Sequence, residues 1–142
     1  LYVMNIILVA LLSVSMWATA AAQNAVPDVS PSIVQVASFG FWQDGSQQGV
    51  YRAIVENQGF EHVDSRLWLE WVAEPVNAQG SPQVVGKVEV IEIRGWSVLV
   101  EPAQPALVQG TIRVAATNPH SLERRVFTIE LSSVGKYRVV SQ

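Results

Sequence analysis

"RVFTIELSSVGKYRVVS", Arg125 to Ser141, decides the fold class. Phe127, Ile129 and Leu131 fall at every second position, with Thr128 and Glu130 between them. Side chains on a strand alternate between faces, so this half reads as a strand with one buried side. "SVG" follows, and Gly135 supplies a position able to take positive φ. "KYRVVS" then returns as a second strand. The stretch is expected to be an antiparallel hairpin integral to the fold. Phe127, Ile129, Leu131, Tyr137 and Val139 form its apolar set.

The same signature extends upstream. "LVQGTIRVAAT" (Leu107–Thr117) alternates Val108, Ile112 and Val114 against Gln109, Thr111 and Arg113 and ends at the turn "NPH". "WSVLVE" (Trp96–Glu101) is stopped by "PAQP". "VVGKVEVIEI" breaks at Arg94-Gly95. Before it come "SIVQVASFGFW" (Ser32–Trp42), "VYRAIVEN" (Val50–Asn57) and "VDSRLWLEWVA", divided by "QDGSQQG", "QGFEH" and the long loop "EPVNAQGSP". These are about eight short runs rich in β-branched and aromatic residues, punctuated by turn residues. The one helical competitor is "SQQGVYRAIVENQG". Tyr51, Ile54, Val55 and Gln58 match a helical spacing there, and Gly59 is placed as a C-cap. The reading is all-β: an antiparallel β-sandwich of about eight strands, immunoglobulin-like at class level only, since the Cys–Trp–Cys pattern is missing. A small up-and-down β-barrel is the alternative, because it reads alike in sequence. Unequal strand lengths and the Glu74–Pro82 loop favour the sandwich.

The N-terminal segment carries the compartment signal. "LYVMNIILVALLSVSMWATAAAQNAVPD" has no charge before Asp28, and its apolar run from Leu1 to Trp17 is interrupted only by Asn5, Ser13 and Ser15. Ala18, Ala20 and Ala22 then fit the small-residue rule of signal peptidase, although a basic leading region is missing. The expected organisation is a cleaved signal peptide over 1–22, a flexible lead-in over 23–31 and a single β-sandwich domain over 32–142. The product would be periplasmic or secreted. The apolar run is marginal for a hydrocarbon core of about 30 Å. An uncleaved anchor is therefore the alternative, and only then is a membrane expected as a partner.

Composition narrows the function classes. The 142 residues carry a formal net charge of −3, which disfavours nucleic acid as a partner. Charged residues make up 15% and hydrophobic ones 49%, so composition does not mark the chain as disordered. There are no cysteines, hence no disulfide, thiolate nucleophile or Cys-based zinc site. No glycine pattern matches a nucleotide loop, and no calcium-loop or nucleophile-elbow motif is present. His62 in "GFEHVDS" and His120 in "TNPHSLERRV" are the two histidines. No third ligand or oriented partner is evident for either. The expectation is that neither is catalytic or metal-binding, and no cofactor is called.

One feature points toward a surface. In "RLWLEWV" (Arg66–Val72), Trp68 and Trp71 must face opposite ways. Leu67, Leu69, Trp71 and Ala73 share a wholly apolar side, which makes Trp71 the core tryptophan. Arg66, Trp68, Glu70 and Val72 share the other side. Trp68, Arg66 and Glu70 are thus a candidate partner surface, unless a loop or the stem of Arg66 covers the ring. Three functional readings follow. The first is an exported, non-catalytic binding or accessory protein of a bacterial envelope, with a protein, peptide or glycan partner. The second is a β-barrel carrier of a small apolar ligand. The third is a hydrolase with no recognisable motif.

Overall fold

The computed structural model describes residues 27–104, 107 and 109–141. The signal-peptide expectation and the first four residues of the lead-in, 23–26, lie outside the described residues. Eight strands follow in order: β1 Ile33–Asp44, β2 Gln47–Gln58, β3 Asp64–Ala73, β4 Gln83–Glu89, β5 Ser97–Val100, β6 Thr111–Thr117, β7 Arg124–Leu131 and β8 Tyr137–Ser141. They form two four-stranded antiparallel sheets, β1-β2-β3-β4 and β5-β6-β7-β8, which are not closed into a barrel. Every strand pairs with its sequence neighbours, so each sheet is a simple meander. In an immunoglobulin domain the strands of the two sheets interleave along the chain. The comparison with that fold therefore extends to the two-layer architecture and stops there.

The helical competitor over Ser46–Gly59 is strand. β2 is hydrogen-bonded along its length to both β1 and β3. Tyr51, Ala53 and Val55 point inward opposite Trp71, Leu69 and Leu67. That cross-strand packing outweighs a weak helical period. "VVGKVEVIEI" is not one strand. It stops at Glu89, and a single 3-10 turn, Ile91–Ile93, carries the chain from the first sheet to the second. Val90 and Ile93, both fully buried, pin that crossover to the core.

Two bulges set which side chains face in. Between Phe39 and Phe41 the β1–β2 register shifts at Gly40, which has φ +53°. The shift turns Phe41 outward and Trp42 into the core, where its Nε1 donates to the carbonyl of Val50 at 3.1 Å. A bulge commonly re-aims a side chain in this way. The second shift falls in β4 opposite Trp71 and Val72. The C-terminal hairpin lies where the sequence puts it, with Phe127, Ile129 and Leu131 in the core and Tyr137 and Val139 packed against it. Its turn clasps the other sheet. Val134 lies over Gly86, where a Cβ would stand 2.5 Å from a Val134 methyl, and Trp71 Nε1 donates to the carbonyl of Ser132 at 3.3 Å.

Side chains also stitch the sheets together. Ser65, fully buried, donates through Oγ to Asn57 Oδ1 at 2.9 Å and accepts from the Val98 amide at 3.0 Å. The Gln35 amide reaches the Val100 backbone twice, accepting from its N–H at 2.7 Å and donating to its carbonyl at 2.9 Å. Gln35 thereby stands in for a missing strand beside Val100 on the open edge of β5.

Candidate partner surface

Three cross-strand rows cross the middle of the outer face of the first sheet. The middle row runs Ser38, Arg52, Glu70, Lys87. Glu70 sits between two cations: Arg52 holds Oε2 at 2.6 Å and Lys87 Nζ stands 3.7 Å from Oε1. These neighbours cover Glu70 so well that it is 4% exposed. Val72, next along the strand, is covered as well. The outward set of "RLWLEWV" thus divides. Arg66 and Trp68 are half-buried, while Glu70 and Val72 are shielded by the strands on either side of β3.

The row on one side runs Val36, Ile54, Trp68, Glu89. Trp68 has the Arg66 guanidinium 4.6 Å and the Lys87 ammonium 5.0 Å from its ring centre, and its Nε1 reaches Glu56 at 3.4 Å. A cation over an indole is an attraction of about 0.5–1 kcal/mol at an exposed site. Its neighbours are thus Arg66 itself and Lys87, rather than the Glu74–Pro82 loop. At the end of this row Glu89 accepts two hydrogen bonds from Arg66, both at 3.0 Å, and two from Arg94, at 2.7 and 3.1 Å. These two guanidinium forks hold its carboxyl at about 2, well below the usual carboxylate range.

The row on the other side runs Phe41, Val50, Val72, Val84. Phe41 is 64% exposed, and Val36, Val34 and Val84 are each close to half exposed. The face therefore presents charges paired across strands, flanked by apolar side chains open to solvent. Sequence alternation finds Arg66, Trp68 and Glu70. It misses Phe41 and Val84, because the bulges that turn those residues outward break the period of two.

The structure also joins what the sequence separates. His62, in the β2–β3 connection, and His120, in the β6–β7 turn, lie with ring centres 4.3 Å apart and planes inclined by 41°. Among the described residues no group of three His, Cys, Asp or Glu side chains converges as a metal site. The clefts are surface clefts. One of about 400 Å³ lies between β1 and the β5–β6 connection, beside Phe39, Val100, Ile112 and the Arg113–Glu101 ion pair. No helix among the described residues is long and apolar enough to cross a membrane.

The chain matches no family model, no curated protein and no solved structure.

Proposed function

We propose that this protein is an exported, non-catalytic binding or accessory module of a bacterial envelope, and that it docks a protein or peptide on the outer face of its first sheet. The observation that carries this reading is the exposed apolar side chains Val36, Phe41 and Val84, flanking the charged line Arg52–Glu70–Lys87 on one sheet face. Exposed apolar side chains gathered on one face mark an interaction site. Arg52 and Lys87 share the single carboxylate of Glu70, so the line keeps one net positive charge for a carboxylate of the partner to meet. Trp68 is a poor platform for a sugar ring, because it already carries Arg66 and Lys87. Export is supported by the uncharged apolar segment and alanine-rich stretch before Gln23.

Two measurements test the reading. In the first, the chain serves as bait in an envelope extract, beside Val36→Asp and Phe41→Ser, with Leu99→Ser on the outer side of β5 as control. The reading expects one partner retained by wild type and control and lost in both face variants. An unchanged set of captured proteins in the face variants refutes the docking face. In the second, the mass of the exported product is measured. A chain beginning near Gln23 supports export with cleavage, and a membrane-held product retaining residues 1–22 replaces it with an anchored form.

A further inference from the structure

We propose that His62 and His120 form a two-imidazole site for one divalent transition-metal ion, tying the first sheet to the second at one end of the sandwich. The chain has two histidines, and the fold brings them into contact from connections belonging to different sheets. Both side chains are exposed, so an ion reaches them without opening the fold. Among the described residues the hydrogen bonds at His120 are made by its backbone, and neither ring is engaged by a protein hydrogen bond, which leaves the ring nitrogens open to a ligand.

The rings are close enough to share an ion. Zinc–imidazole bonds are about 2.0–2.1 Å long, which puts the ion roughly 3 Å from each ring centre. At the tetrahedral angle of zinc, two such imidazoles have centres about 5 Å apart. The observed 4.3 Å is a ring-on-ring contact, from which both exposed side chains must turn to aim a nitrogen at a shared ion.

The backbone that carries one ring is held. Asn118 Oδ1 accepts from the amides of His120 at 2.9 Å and Ser121 at 3.1 Å, fixing the β6–β7 turn. On the other side Gly59 takes φ +92°, and a Cβ there would stand 2.6 Å from the carbonyl of His62, so the turn that brings His62 round requires glycine. Imidazole ligands select zinc, copper and nickel over magnesium and calcium, which prefer oxygen. Two protein donors leave further coordination positions, filled by water or by a donor from outside. The site is therefore exchangeable rather than a permanent structural metal. The sequence gives no sign of it, since each histidine by itself lacks partners.

The test uses the full chain without an affinity tag, stripped by chelator, then titrated with zinc chloride. Heat of binding and the histidine ring resonances are followed together. The expected result is one zinc per chain, with both rings shifting in the same titration, and no response to magnesium or calcium. His62→Ala and His120→Ala should each weaken binding by about tenfold or more, because either change leaves a single ligand. Both positions are exposed, and the melting temperature of the metal-free variants should match wild type. Absence of saturable uptake up to roughly millimolar zinc means that the rings only stack, and overturns the site. Uptake that survives in the double variant, or that one single variant leaves unchanged, overturns it as well.

Discussion

Replacing Trp71 by Ala should be far more damaging than the same change three residues earlier. Trp71 is fully buried, meets Tyr51 edge-on with ring centres 6.0 Å apart, and hydrogen-bonds the carbonyl of Ser132 across the sheets. Truncation leaves a void that the strands around it cannot close, since β3 is paired on both edges. Substitutions of this kind cost about 3–5 kcal/mol. A domain of roughly one hundred residues has an unfolding entropy near 0.2 kcal/mol/K, so the melting temperature should fall by about 15–25 °C. The freed carbonyl belongs to an exposed turn residue and is taken up by water, so no further penalty is added. Trp68→Ala removes a half-buried ring and its contacts with Arg66 and Lys87. Its cost is about 1–2 kcal/mol, or roughly 5–10 °C. Far-UV circular dichroism is the suitable probe, because either change alters tryptophan fluorescence. Equal losses at both positions would refute the assignment of an inner and an outer face to β3.

Gly49→Ala should prevent folding, because its Cβ would stand 1.8 Å from the carbonyl oxygen of Val72 on the paired strand; soluble yield and the circular dichroism spectrum report it. Glu89 has its carboxyl lowered from 4.5 to about 2 in the fold, so the stability it contributes is complete above about 4.5 and is lost as the pH falls toward 2. Urea midpoints measured between pH 7 and 3 should decline less steeply in Glu89→Gln than in wild type. Deleting residues 136–142 removes β8, uncovers the edge of β7 and frees Glu92 from the Tyr137 hydroxyl at 2.7 Å; the product should aggregate, as light scattering would show.

The architecture was legible where alternation was unbroken. β6, β7 and β8 follow their period of two without interruption until β8 shifts register past Thr128, and Leu67, Leu69, Trp71 and Ala73 are buried as the pattern requires. Legibility failed where geometry departs from that period. "SFGFW" contains a bulge at Gly40, and no count of positions tells which of Phe39, Phe41 and Trp42 faces inward. The burial of Glu70 depends on Arg52 and Lys87, which reach it only because β2 and β4 pair on either side in a particular register. The His62–His120 contact depends on how two sheets stack, and local sequence carries no record of that. Alternation therefore assigns Arg66 and Trp68 to the outer side of β3, while the exposed Val36, Phe41 and Val84 near them came from the structure.

The order of the strands along the chain has a consequence for how this protein is made. The first meander is complete at Glu89, before any strand of the second has left the ribosome. Its pairings are all between neighbours in sequence, so they form early and locally. Its inner side, with Leu67, Leu69 and Trp71, has nothing to bury against until β5 to β8 arrive. For that interval the nascent chain is a finished sheet with a bare apolar side, a species prone to self-association and a natural client for a holding chaperone. The buried crossover at Val90 and Ile93 shortens the wait, since it folds the second meander back over the first as soon as it emerges.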